Sequence, residues 1–243
     1  MTYCVGMRLN RGLVFMADTR TNAGVDDIAS VKKITTWQKP GERVITLLSA
    51  GNLATTQAVV SLIDERSKAP KDRNPSILAA PSMFQVATII GETLREVVRS
   101  RTEEGPNSAS PFAATLILGG QIDGSEPRLF KIYPEGNFIE ATLDSPFFQS
   151  GETKYGRPIL VRAFDPGKSF EAAVRLLMVS FDNTIRANLA VAPPLDLVIH
   201  ERDTFRVHSE RRFEADDPYF RAISNGWSHA LRAAVEGLPE FEF

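Results

Sequence analysis

The chain has 243 residues, of which 43% are apolar, so it is long enough and apolar enough to fold around a buried core. Its 28 basic and 30 acidic residues leave a net charge of −2, which argues against a nucleic-acid-binding surface. No apolar run approaches the ~20 residues that cross a bilayer, and the N-terminus lacks the pattern of a secretion signal. We therefore expect a cytoplasmic protein with neither a membrane nor a nucleic-acid partner.

The cysteine and histidine content argues against a metal centre. Cys4 is the single cysteine, which excludes an internal disulfide and a cysteine-rich metal site and fits a reducing compartment. The histidines lack the HExxH spacing of a zinc hydrolase. No cofactor or metal is expected.

The first fifty residues predict strands. Two apolar runs joined by a glycine-bearing turn indicate a hairpin, and two more runs follow a loop rich in Asn, Gly and Asp. The last of these runs stops at Gly51. The predicted strands are 2–9, 13–18, 31–37 and 43–50, with the loop at 19–30.

From Asn52 the apolar residues recur at helical spacing until Pro70, and a second helical stripe covers 81–101. A breaker at 102–111, rich in Gly, Pro and Ser, is not taken as a domain boundary, because the strands that follow need a layer to cover their apolar face. The remaining predictions are strands at 112–121, 128–133 and 138–143, helices at 153–163 and 168–187, a hairpin of 195–202 and 204–208 turning at Asp203, and a helix at 218–236.

The predicted strands and helices form separate blocks, which favours an α+β fold over alternating βαβ units. Two stacked antiparallel sheets with helices outside account for every block. A single domain spanning 1–243 is expected.

A hydroxyl at the N-terminus is the first candidate for chemistry, since no phosphate-binding or GxSxG signature is present. If Met1 is removed, Thr2 carries both a side-chain hydroxyl and a free α-amine. An α-amine has an ordinary pKa of about 7.7–8.0, so it can take the proton of the hydroxyl near neutral pH. The alternative is that Met-Thr is merely a start that is easily processed.

Two charged residues lie where the predicted strands bring them toward Thr2. Asp18 ends the second strand and Lys33 lies in the third, so a lysine ammonium held by an aspartate would lower the pKa of a nearby hydroxyl. The alternatives are an exposed edge lysine and an aspartate that caps its own turn. Gly51, between a strand and a helix, is either an oxyanion donor through its amide or an ordinary turn glycine.

Taken together, these positions resemble the N-terminal half of proteasome β-type subunits and bacterial HslV. Two later segments are more specific and resemble Anbu, the bacterial ancestral β-subunit branch of that superfamily. The matching segments are Thr2, 17–20, 31–34 and 49–51 for the first resemblance, and 150–160 and 180–197 for the second.

The resemblance implies an N-terminal nucleophile hydrolase fold, a four-layer αββα sandwich. It implies that Thr2 is the nucleophile and its own α-amine the general base, acting on a peptide or amide substrate. Lys33 is chosen over Lys32 because the family's lysine is the second of the pair. The other residues carried over are Asp18 for activation, Gly51 as oxyanion donor, Ser150 near the threonine amine and Asp182 as a supporting aspartate.

This sequence departs from the family in two respects. Proteasome β subunits often carry a propeptide, whereas here Thr2 follows Met1 directly, so activity would depend on methionine removal. Ala187 lacks the hydroxyl expected there from Anbu relatives. Cys4 is interpreted as a core thiol rather than a second nucleophile.

The resemblance also implies self-association into a large, dodecamer-like homo-oligomer with an open helical or lock-washer arrangement. It implies a functional link to ATP-grasp, alpha-E and transglutaminase-like proteins. Two alternatives to a threonine peptidase or amidase remain: an assembly protein whose catalytic residues are idle, and a hydrolase of non-peptide amides on the same fold.

Overall fold

The computed structural model describes residues 2–22, 28–68, 75–101 and 111–243, without the side chains of Asn22 and Ile28. Met1, the predicted helix end at Pro70 and most of the breaker lie outside the described residues. The strands are β1 (Tyr3–Leu9), β2 (Gly12–Asp18), β3 (Arg20–Asn22), β4 (Ile28–Ser30), β5 (Ile34–Lys39), β6 (Arg43–Gly51), β7 (Ala114–Ile122), β8 (Arg128–Ile132), β9 (Phe138–Glu140), β10 (Phe147–Gly151), β11 (Leu195–Glu201) and β12 (Val207–Phe213). The helices are α1 (Leu53–Lys68), α2 (Met83–Arg99), α3 (Arg157–Ala163), α4 (Phe170–Ala187) and α5 (Pro218–Glu236).

The strands in the described ranges form two five-stranded antiparallel sheets and one short pair, β3 with β4. The first sheet has the order β10-β1-β2-β11-β12 and the second the order β5-β6-β7-β8-β9. The hairpin predicted at the N-terminus is β1 paired with β2. The antiparallel arrangement means that the strand ends near Thr2 come from three neighbouring strands.

Strand alternation divides the core into layers. Tyr3, Val5 and Met7 of β1 pack in a cluster with α4, whereas Cys4 packs in a cluster between the two sheets. The second sheet packs against α1 and α2 on its other face. The fold is thus the αββα sandwich that the sequence predicts.

Serine side chains cap the starts of α2 and α4. Ser82 accepts a hydrogen bond from the Gln85 amide at the start of α2, and Ser169 caps α4 in the same way. The stripe predicted over 81–101 is buried in α2, including Val86, Ile90 and Leu94. None of the helices in the described part of the chain has the length and apolar character needed to span a membrane.

Several predicted boundaries are wrong. The sequence predicts no strand at 147–151, yet β10 lies there at the edge of the first sheet. The predicted loop at 19–30 contains β3 and β4, and the helix predicted from 153 begins at Arg157. The predicted strand 204–208 instead begins at Val207, because Asp203 and Phe205 adopt positive φ and lengthen the turn.

Candidate active site

The pairing of β1 places Thr2 beside two other strand ends. Cys4 lies opposite Ala17 of β2 on one side and opposite Ser150 of β10 on the other. Thr2, two residues earlier, is therefore next to the end of β2, where Asp18 lies. Thr2 is buried, with 9% of its surface exposed.

Asp18 connects the N-terminal strand to Lys33. One carboxylate oxygen, Oδ1, accepts a hydrogen bond from the Tyr3 amide at 2.9 Å and from Lys33 Nζ at 2.8 Å. Lys33 Nζ also donates to the Arg20 carbonyl at 2.6 Å. Because the Tyr3 amide and the ammonium share one oxygen, the ammonium lies next to the peptide bond that joins Thr2 to Tyr3.

The two adjacent lysines differ in their surroundings. Lys33 is 6% exposed and lies one residue before β5 rather than inside the predicted strand. Lys32 is exposed and forms an ion pair with Glu210 at 2.8 Å on the surface. The structure therefore brings Lys33, and not Lys32, to Asp18.

The electrostatics of the ion pair follow from burial. Removal from water raises the pKa of Asp18 above its ordinary value, while the neighbouring Lys33 ammonium and the Tyr3 amide oppose that rise. Both side chains are buried, so each charge depends on the other for stabilisation. Loss of the ammonium would leave a buried carboxylate without a counter-charge.

The backbone of Thr2 is held by the strand that the sequence failed to predict. The Glu152 amide, directly after β10, donates to the Thr2 carbonyl at 2.7 Å. Gly151 has φ +82°, and a Cβ at this position would collide with the Thr2 carbonyl oxygen. Glu152 is itself fixed, since Asn188 Nδ2 donates to its Oε2 at 3.0 Å.

Gly51 ends β6 with φ +116°, which L side chains rarely adopt. A Cβ there would come within 2.6 Å of the Ala113 carbonyl oxygen. Gly51, Thr2 and Lys33 line one cleft of about 350 Å³, which is also lined by residues of α1. The rest of the lining mixes polar and apolar side chains, among them Lys32, Leu53, Thr56 and Val60.

Ser150 and Asp182 are placed differently from these residues. Ser150 is buried opposite Cys4 in β10, and β1 separates it from Asp18 of β2. Asp182 is buried on α4 and accepts hydrogen bonds from Arg186 Nε at 3.1 and 3.2 Å. The described hydrogen bonds of Asp182 thus link it to Arg186 and give no direct connection to Thr2.

A hydrogen-bonded chain that sequence reasoning missed fixes Tyr3. Gln149 Nε2 donates to the Tyr3 hydroxyl at 2.6 Å, that hydroxyl lies 2.7 Å from Ser180 Oγ, and Ser180 donates to the Gly156 carbonyl. Burial raises the pKa of Tyr3 to about 12, so the phenol stays protonated. The Tyr3 ring also packs on Phe181, with centroids 4.5 Å apart.

Comparison with known proteins places this geometry in a family. A family model described as "Proteasome subunit" matches residues 2–192. The structure of an Anbu (Gly-1) mutant from Hyphomicrobium sp. strain MC1 is 53% identical, with a TM-score of 0.92 and 100% of both chains covered. The chain belongs to the proteasome subunit family, in its Anbu branch. Anbu from Yersinia bercovieri is 44% identical, with a TM-score of 0.93 over 100% of this chain and 99% of that one.

Curated proteasome subunits are more distant relatives of this Anbu-family chain. Proteasome subunit alpha 1 of Haloarcula marismortui is 24% identical over 179 residues, which is 74% of this chain and 62% of the relative. The chain thus spans less than two thirds of the length of that relative. Proteasome subunit beta 2 of Nitrosopumilus maritimus is 22% identical over 88% of this chain and 92% of the relative.

The two segments that carry the Anbu resemblance pack behind the N-terminal strand. Glu152 and Gly156 lie in the first segment, and Ser180 and Asn188 in the second. Glu152 binds the Thr2 carbonyl and Ser180 the Tyr3 hydroxyl, while Asn188 and Gly156 bind Glu152 and Ser180 in turn. The sequence showed these two segments as a family resemblance, but it did not show which hydrogen bonds they make to the N-terminal strand.

The thiol of Cys4 is poorly suited to act as a nucleophile. It is fully buried between the sheets, with Sγ 3.6 Å from the Ser49 carbonyl oxygen. Burial raises the pKa of Cys4 well above its ordinary value, which keeps it a neutral thiol. Within the described ranges, no cluster of three or more His, Cys, Asp or Glu side chains is arranged to hold a metal ion.

Proposed function

We propose that this chain hydrolyses amide bonds with Thr2 as nucleophile, once Met1 has been removed. The observation that carries the proposal is the convergence of Thr2, Lys33 and Gly51 on one cleft, with Asp18 joining the lysine to the N-terminal strand. A buried ammonium beside a hydroxyl favours its deprotonated form. The cleft provides space for one side of a peptide or amide substrate.

The proposed reaction proceeds through an ester. The α-amine of Thr2 takes the hydroxyl proton as Oγ forms a bond to the substrate carbonyl carbon, and the Gly51 amide donates to the oxyanion. The C–N bond then breaks as the protonated amine gives its proton to the leaving nitrogen. Water, activated by the same amine, cleaves the ester, releases the acid and restores the hydroxyl.

Mass spectrometry with an epoxyketone tests this proposal, because such a reagent needs both the hydroxyl and the amine of an N-terminal threonine. The processed chain should gain one reagent mass, mapped to Thr2. Thr2→Ser should still react, since serine keeps both groups, and Thr2→Ala should not. A processed chain that forms no adduct would favour the idle assembly protein instead, and retention of Met1 would contradict constitutive activity.

We also propose that the chain self-associates into an open helical homo-oligomer. An Anbu complex from Pseudomonas aeruginosa, 44% identical over 99% of this chain with a TM-score of 0.91, is described as a helical assembly. Light scattering after gel filtration should give a mass many times the 26.8 kDa of one chain, and electron microscopy should show turns that do not close. A monomer at all concentrations would contradict the assembly.

A further inference from the structure

An apolar groove crosses the outer face of the layer formed by α3, α4 and α5. It has a volume of about 590 Å³ and is lined by apolar side chains from all three helices, among them Ile159, Leu176 and Trp227. Leu231 of α5 also lines it and is 47% exposed. Apolar surface of this kind, open on the outside of a folded chain, is typical of a binding surface.

Three cations also line this groove: Arg162, Lys168 and Arg175. None of them takes part in an ion pair with another described residue. Some arginines elsewhere in the described chain do form ion pairs, for example Arg212 with Asp196 at 2.7 Å. The groove therefore combines an apolar floor with positive charge that forms no ion pair with the residues that the structure describes.

The segment 238–243 has the complementary character. It follows α5 and reads Leu-Pro-Glu-Phe-Glu-Phe, with Phe241 80% exposed. The rings of Phe241 and Phe243 lie 5.2 Å apart. In an extended chain alternate residues share a face, so the two aromatic rings lie on one side and Glu240 and Glu242 on the other.

We propose that the groove binds residues 238–243 of a second copy of this chain. The aromatic side would enter the apolar floor, while Glu240 and Glu242 would meet Arg162, Lys168 and Arg175 at the rim. This inference rests on the proposed self-association and identifies the contact through which one copy binds the next.

The geometry of α5 favours a second copy over the same chain. Beyond Leu231, which lines the groove, the helix continues to Glu236 and rises about 1.5 Å per residue. The segment that follows is exposed rather than folded back. A tail of one copy in a groove of the next is a head-to-tail contact, which produces an open helix when its rotation does not close a ring.

Disulfide trapping with the full-length chain tests where the tail binds. One chain carries Val179→Cys in the groove, and a second, tagged chain carries Phe241→Cys, while the native Cys4 is buried. After mixing and mild oxidation, a disulfide between the two chains is expected. The control is Leu143→Cys in place of Val179→Cys, since Leu143 is 88% exposed outside the groove.

Two results would overturn the proposal. One is the absence of a cross-link above the level of the Leu143→Cys control. The other is a disulfide that forms only within a single chain carrying both Val179→Cys and Phe241→Cys, which would show that the tail occupies its own groove. If the protein still assembles in either case, the docking proposal fails while the self-association stands.

Charge reversal provides an independent test of the same contact. Arg175→Glu should weaken assembly at least tenfold by sedimentation, and Glu240→Lys with Glu242→Lys in the same chain should restore much of the loss. Arg232→Glu, on α5 outside the groove lining, is the matched control and should change nothing. Thr2 labelling by epoxyketone is measured in parallel, so that a loss of assembly is separated from a loss of the catalytic site. Assembly unaffected by Arg175→Glu would contradict the proposal.

Discussion

The cleft beside Thr2 and the groove on α3, α4 and α5 differ in how completely one chain satisfies their charges. In the cleft, Lys33 and Asp18 pair with each other and bind backbone groups. In the groove, Arg175 and its neighbours have no carboxylate partner within the described residues, and Leu231 is half-exposed. In our proposals, a single chain assembles the catalytic groups, whereas another copy completes the outer helical face.

The largest effect is expected when the charge pair of the cleft is broken. Lys33→Met removes the ammonium but keeps most of the side-chain volume, and it should slow epoxyketone labelling of Thr2 on the order of 10³-fold. Lys32→Met is the matched control, because Lys32 also lines the cleft but is exposed and pairs with Glu210 instead of Asp18. Equal rates for the two variants would show that the buried lysine does not activate Thr2.

A steric change behind Thr2 should have the second largest effect. Gly151→Ala places a Cβ against the Thr2 carbonyl at a positive φ and should lower the free energy of unfolding by about 3 kcal/mol. Gly41→Ala is the control, since Gly41 has φ +77° but no atom within 4 Å of the added Cβ; its expected cost is about 1 kcal/mol. Urea denaturation measures both, and similar losses would mean that Gly151 matters only for its backbone conformation.

A pH effect is expected from the layer between the sheets. Burial lowers the pKa of His200 to about 3, and its Nε2 lies 2.9 Å from Thr46 Oγ1. Between that value and about 6.5 the unfolded chain binds a proton that the folded chain does not, so stability falls as the pH falls. From pH 7 to pH 5 the contribution of His200 should be a loss of about 2 kcal/mol.

Urea denaturation of His200→Gln at both pH values isolates this contribution. The variant should lose about 2 kcal/mol less than the native chain over the same interval. An identical pH dependence in the two proteins would show that the folded chain accommodates a protonated His200.

The smallest effect on folding is expected in the groove. Leu231→Ala should change the free energy of unfolding of one chain by about 0.5 kcal/mol or less, because the side chain is half-exposed. Leu94→Ala, fully buried in α2, should lower it by about 3 kcal/mol. If Leu231→Ala destabilises the monomer as much as Leu94→Ala, the groove is part of the core of the chain and not a surface for another copy.

Local sequence patterns predicted the helices and strands whose apolar residues recur at a regular spacing. The apolar stripe of α2 and the hairpin of β1 and β2 are signals of this kind. The site residues Thr2, Asp18, Lys33 and Gly51 were predicted from strand ends and from the family resemblance together. The structure brings them to one region, while their roles in catalysis stay predictions.

The supporting contacts had no local signal. β10 contains the polar residues Gln149 and Ser150, so its sequence does not resemble a buried strand. These residues are buried because β10 pairs with β1, with Gly151 opposite Tyr3. The hydroxyl of Tyr3 meets Ser180 across 177 positions of the chain and Gln149 across 146. Contacts between such distant residues depend on the packing of α4 against β1, which the period of a single segment does not encode.

A crystal structure of the epoxyketone-treated protein tests the central claim most directly. The account predicts continuous density from the reagent to both Oγ and the backbone nitrogen of Thr2, with Met1 absent and Lys33 next to the new ring. Reagent bound at another residue, or an unmodified Thr2 in a chain that has lost Met1, would contradict the account.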